Sequence, residues 1–162
     1  MPTPTEQDQR FLTEVFALAQ RSRDAGHHPF AALVVAADGR VIAEAMNASS
    51  SDRTAHAEMN ALRAASSQYS PRELAGATLY SSAEPCAMCA GGAYWSGVGR
   101  VVYGMAEATL LALTGSDPEN PTLSLPCRQV FAAGQRPTEV IGPLREDEAK
   151  IAHQGFWHNG DA

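Results

Sequence analysis

The residues best suited to chemistry are His56, Glu58, Cys86 and Cys89, in the runs His56-Ala57-Glu58 and Pro85-Cys86-Ala87-Met88-Cys89. An imidazole and two thiolates are zinc-type ligands. A structural zinc normally takes four protein ligands, so three leave a tetrahedral ion one open position, which can hold water. Glu58 lies beside the ligands without being needed as one. Two thiolates and a neutral imidazole cancel the charge of the dication, and the pKa of bound water then falls toward about 7. Glu58 suits the role of proton carrier, taking the water's proton, handing it to a ring nitrogen and later passing a proton to the departing amine. The pattern predicts hydrolysis of an amino-azine, with ammonia as product. A lone C-x-x-C is also compatible with a redox pair or half of a structural site, and a lone H-x-E is common by chance. Together, with Pro85 before the first Cys and helix signals after both runs, they favour a catalytic zinc. One ion per chain is expected.

Helices must position these groups. Cys86 and Cys89 are three apart, so the first turn of a helix opened by Pro85 puts both sulfurs on one face, where the helix dipole favours thiolate. His56 must come from another helix, expected over 54–67. An amphipathic helix is expected over 5–24, with Phe11, Leu12, Val15, Phe16 and Ala19 on one stripe and Thr5 and Asp8 at capping-box spacing. Residues 30–36 read as a strand buried on both faces, and Asp38-Gly39 as the turn of a hairpin that returns over 41–47. Further strands are expected over 77–82, 100–104 and 138–141. A loop is expected over 114–121, a short helix from Ser124 to about Gly134, and a last helix over 145–157. Strands alternating with helices after an opening hairpin imply an α/β sandwich with a mixed, partly parallel sheet. Cys127 shares an apolar stripe with Val130 and Phe131 and is expected to be buried rather than a ligand. His27 and His28 are read as loop residues.

Composition narrows the function. With 162 residues, 44% of them apolar, the chain suits one folded domain over 1–162. A net charge of −6 argues against a nucleic-acid partner, which needs clustered Lys and Arg. Three cysteines, two of them in one C-x-x-C, do not make a disulfide framework. The polar start carries no cationic or apolar leader, and no apolar run is long enough to span a bilayer. A cytoplasmic protein with no membrane partner is expected.

At these residues the chain resembles the cytidine-deaminase-like superfamily, from about Phe11 to Trp157. Thr54-Ala55-His56-Ala57-Glu58 and Glu84-Pro85-Cys86-Ala87-Met88-Cys89-Ala90-Gly91 are similar to the branch of guanine deaminases, tRNA-adenosine deaminases and related nucleobase deaminases. The resemblance implies a three-layer α/β/α fold with a five-stranded mixed sheet. It also implies His56, Cys86 and Cys89 on zinc, Glu58 as proton shuttle, and a homodimer. Pro29-Phe30-Ala31-Ala32 and Tyr94-Trp95 look like the guanine-type branch, and low basic content points away from tRNA. A free nucleobase is therefore the expected substrate. Cytosine-like pyrimidines and amino-s-triazines share its N–C–NH2 edge and stay open. A tRNA-adenosine deaminase and a non-catalytic zinc-binding protein are the rivals.

The expected substrate contacts are Asn47, Phe30, Ala57, Glu107, Trp95, Phe156 and Trp157. By resemblance, Asn47 ends the second strand near the zinc and binds the base, its carboxamide able to donate and accept; a simple turn is the alternative. Phe30 suits stacking on a planar ring, or core packing. By the same resemblance, Glu107 stands where some guanine deaminases place an Asp after the fourth strand to read the base, a departure from their pattern that leaves guanine itself open. The aromatic tail within 145–162 is either docked on the domain or a lid over the site.

Overall fold

The structure is a computed structural model, which describes residues 2–158. Thr5 caps helix α1 (Glu6–Asp24) in a capping box with Asp8, and the helix buries Phe11, Leu12, Val15, Leu18 and Ala19. Strand β1 (Ala31–Val35) is buried throughout and pairs antiparallel with the more exposed β2 (Val41–Met46). Gly39, at φ 88°, supplies the left-handed residue of their turn. Helices α2 (Ala57–Ser66) and α3 (Pro71–Leu74) lead to strand β3 (Thr78–Ala83), and α4 (Ala87–Ser96) connects it to β4 (Arg100–Met105). Then come α5 (Glu107–Thr114), α6 (Cys127–Ala132), β5 (Glu139–Ile141) and α7 (Glu146–Ala149).

The five strands lie in the order β2-β1-β3-β4-β5, with β1 antiparallel to β3 and β3, β4 and β5 parallel. Alternate residues of the buried strands feed two cores. On one face Leu33, Tyr80, Val102 and Ile141 pack against α1. On the other Val34, Leu79, Val101 and Tyr103 pack against α2, α4 and α6. This is the three-layer α/β/α arrangement with a mixed sheet. A smaller cluster of Ala83, Met105, Leu110 and Ala149 closes the ends of β3 and β4 beneath α5 and α7.

One polar node fastens α1 to the sheet. Asp8 is fully buried and accepts two hydrogen bonds from Arg100 and one from the Tyr80 hydroxyl, and Arg100 also pairs with Glu139 of β5.

Several boundaries differ from the sequence expectation. Residues 107–114 form α5, a helix not anticipated, and 71–74 form the short α3. The helix expected over 54–67 begins at Ala57 because His56 is its N-cap, and the helix expected from Ser124 begins after Pro126. The last helix is broken. It comprises α7 and a 3-10 turn, Ile151–His153, after which Gly155 at φ 70° turns the chain back toward the domain. Cys127 is fully buried, as expected. No helix among the described residues is long and apolar enough to cross a membrane.

Candidate active site

Two helix N-termini meet at the site. His56 is the N-cap of α2 and Cys86 the N-cap of α4, and neither side chain caps its own helix. Both are left free to face each other, with Cys89 one turn into α4. The Nδ1 atom of His56 lies 3.6 Å from the Sγ of Cys86 and 3.6 Å from that of Cys89, and the three donor atoms lie within 4.8 Å of one another. Tetrahedral zinc with Zn–S of about 2.3 Å and Zn–N of about 2.05 Å requires an N···S separation of about 3.6 Å. The donor set therefore fits zinc in both chemistry and spacing, and no fourth His, Cys, Asp or Glu joins the cluster among the described residues. The hydrogen bond from Cys89 pushes the Cys86 thiol down to about 4, and the same bond, with burial, pushes Cys89 up.

Glu58 lies in the first turn of α2, 5% exposed, with Oε1 accepting a 2.7 Å hydrogen bond from the Ser81 hydroxyl of β3. Burial raises its pKa, the negative Cys86 adds to this, and the Ser81 bond opposes it. Glu107, at the start of α5, is pushed up to about 8 by burial, then by Cys86, Glu84 and Glu58. Crowded acids of this kind are what a divalent cation relieves.

These groups open into a cleft of about 690 Å³. Phe30, Asn47, His56, Glu58, Cys86 and Glu107 all line it. The Oδ1 atom of Asn47 accepts from the backbone N–H and hydroxyl of Ser49, at 2.9 and 2.7 Å, so its amide group is held at the end of β2.

Residues 5–105 match the cytidine and deoxycytidylate deaminase zinc-binding region. The chain belongs to that family. It is 40% identical over 157 residues to a probable cytosine deaminase of Schizosaccharomyces pombe, spanning 96% of each protein. It is 42% identical over 110 residues to the guanine deaminase of Bacillus subtilis, 66% of this chain and 69% of that protein. The solved guanine deaminase from Nitrosomonas europaea shares the fold at a TM-score of 0.74 and 26% identity, over 95% of this chain and 85% of that one. These deaminase relatives agree with the resemblance read from the two motifs.

Within this family member, not every anticipated contact reaches the cleft. Trp95 does not: it is 83% exposed on α4. It lies six residues after Cys89, which at about 100° per residue turns it about 120° round the helix from that sulfur. Ala57 is fully buried behind the site and does not line the cleft. Phe156 and Trp157 line an adjoining cavity of about 390 Å³ that shares His28, Asn47, Ser50 and Glu119 with the cleft. Trp157 is docked. Its indole N–H donates to His153 Nδ1 at 2.9 Å, and its ring lies 5.2 Å from His28 and 6.0 Å from Phe30. Burial holds His153 down to about 4, which keeps it neutral and able to accept that bond. The backbone N–H of His158 donates to Asp117, tying the tail to the loop over the cleft. Residues 159–162 of the anticipated tail lie outside the described residues. His28, anticipated only as a loop residue, joins both cavities and bonds Glu119 at 3.3 Å.

Two further residues had no role assigned from sequence. Ser81 touches Glu58. Glu84 accepts the backbone N–H of Glu107 at 3.0 Å and of Cys127 at 2.8 Å, capping α5 and α6 together. A serine inside an apolar strand and an acid before a proline carry no spacing signal for these contacts.

Proposed function

We propose that this chain is a zinc-dependent hydrolytic deaminase of a free nucleobase or similar amino-azine, guanine-type favoured, and that 1–162 form one deaminase domain. The observation that carries the reading is a buried carboxylate, Glu58, beside a three-donor set in an open cleft. Zinc held by His56, Cys86 and Cys89 would lower the pKa of a bound water and so supply hydroxide near neutrality. Glu58 takes the proton released as water adds to the amino-bearing ring carbon and delivers it to a ring nitrogen; it then takes the proton of the new hydroxyl and passes it to the amine, which departs as ammonia and leaves a ring carbonyl. Asn47 presents its amide to the ring edge. Phe30 provides a face for the ring, and the Glu107 carboxyl meets a ring N–H or amino group.

The lining also selects by charge. Among the described residues, Arg53 is the one lysine or arginine lining the cleft, beside Glu58, Glu84, Glu107 and Glu119. A phosphate there finds one basic side chain to pair with, which disfavours nucleotides and polynucleotides and so the tRNA reading. Cytosine is the second reading, favoured by the full-length similarity to the S. pombe protein. Homodimerisation and a cytoplasmic location belong to the same proposal.

An ammonia-release screen tests it, with guanine, cytosine, adenine, their nucleosides and nucleotides, and amino-s-triazines, run beside metal analysis. Turnover of a free base by protein carrying stoichiometric zinc is expected. Zinc-loaded protein inert on every base and triazine refutes the reading.

A further inference from the structure

Strand β3 is buried along its whole length, from Thr78 to Ala83. A central strand covered on both faces is ordinarily apolar, yet this one carries Ser81 and Ser82 side by side. Each hydroxyl must find a partner, because a buried one left unbonded costs stability. Ser82 is accounted for by the fold: its Oγ accepts the backbone N–H of Ala31 at 3.1 Å, across the α1 side of the sheet. Ser81 points to the opposite face, as strand alternation requires, and is 0% exposed. Its hydroxyl donates to the Glu58 carboxylate at 2.7 Å. The bond spans 23 residues and joins the sheet to the first turn of α2.

We infer that Ser81 is a positioning residue for the proton carrier: it pins one Glu58 oxygen to the rigid sheet and leaves the other to carry the proton between water and ring. A hydroxyl has a single hydrogen, so it fixes one carboxylate oxygen only. Glu58 otherwise rests on a side chain with three rotatable bonds. Proton transfer needs the carboxylate within hydrogen-bond reach of both the water and the ring nitrogen, so a small error in its placement lowers the rate. The strand can hold it because β3 is paired on both sides, at Ser81↔Ala32 on β1 and Ser81↔Tyr103 on β4. Apolar packing alone would be served as well by alanine, the type that flanks the site at Ala57, Ala61, Ala83 and Ala90.

The inference rests on Glu58 acting as proton carrier in a deaminase, so the test reports on the two ideas separately. The base turned over fastest in the screen is used with wild type, Glu58→Ala, Ser81→Ala and Ser81→Thr, each assayed for kcat, KM, zinc content and Tm. Wild-type turnover that survives Glu58→Ala sinks the parent reading, whatever Ser81 does. With that reading intact, Ser81→Ala is expected to lower kcat by about ten- to a hundredfold, the scale of a hydrogen bond to a charged group. KM and zinc content should stay near wild type, and Tm should fall by no more than about 10 °C, so that the protein stays folded in the assay. Ser81→Thr, which restores the hydroxyl, should recover kcat to within about threefold of wild type. Ser81→Ala with more than a third of wild-type kcat overturns the inference. So does an equal loss in Ser81→Thr and Ser81→Ala, or a kcat loss that follows lost zinc.

Discussion

Replacing Asp8 by Asn tests how the α1 layer is fastened to the sheet. The Asp8 carboxylate accepts from Arg100 at 2.6 and 2.7 Å, from the Tyr80 hydroxyl at 2.7 Å and from the Thr5 backbone at 2.8 Å. Burial alone would raise its pKa. The bonds from Arg100, Thr5 and Tyr80 outweigh burial and hold it down to about 2, against 3.8 for an ordinary carboxyl. At about 1.36 kcal/mol per pH unit, that lowering contributes about 2 kcal/mol of folding stability. Because the folded pKa is the lower one, the contribution is fully present above about pH 4. It is lost as pH falls through about 2.

Asp8→Asn removes this charge and sets an amide N–H against existing donors. Breaking a buried pair costs about 3–5 kcal/mol. The lower end applies here, because Arg100 is 21% exposed and keeps Glu139. A loss of about 3 kcal/mol at pH 7 is expected, with Tm lower by about 6–12 °C for a chain of this size. Denaturant titrations of both proteins from pH 7 to about 2, at constant total zinc, measure the difference in stability. Protonation of the zinc ligands acts on both proteins and cancels. The gap should narrow by about 2 kcal/mol between pH 4 and 2. A gap below 1 kcal/mol at pH 7, or one that does not change with pH, would refute the reasoning.

The remaining predictions concern the site. Glu58→Gln should reduce kcat by about 10²–10⁴-fold while zinc content and Tm hold, as read by steady-state kinetics and metal analysis; loss of zinc would make Glu58 a ligand instead. Chelation should abolish ammonia release and lower Tm, and added zinc should restore both; full activity in chelator-treated, metal-free protein would contradict the hydrolytic scheme. Trp157→Ala should cost about 3 kcal/mol by denaturant titration, since the ring is 8% exposed and loses its bond to His153. It should also raise KM more than it lowers kcat, because Phe30 loses the ring behind it; an unchanged KM would make the tail a stability element only.

Much of the site was legible because metal ligands obey spacing. Cys86 and Cys89 share a face wherever a helix begins at Pro85, and the His56 run needs only a second helix beside it. The opening hairpin followed from Asp38-Gly39. What escaped was held by tertiary contacts. Helix α5 has no local cap at Ala106; its first N–H groups are taken by Glu84 and Glu146 from distant parts of the chain. The acidic run Glu146-Asp147-Glu148 marked a helix start correctly, but the break that follows depends on Gly155 and on the aromatic contacts beyond it. Trp95, expected at the ring from the likeness of the Tyr-Trp pair, faces solvent on α4.

The Glu84 carboxylate has a consequence for how such a cleft diversifies. The His56, Cys86 and Cys89 donors come from the start of α2 and the β3–α4 junction, whereas Glu107 rides on α5, and the Glu84 side chain rivets the two assemblies together. Insertions or substitutions beyond that rivet can reshape the wall while the half that carries the His/Cys/Cys donors keeps its register. Loss of the rivet itself would slacken both halves at once.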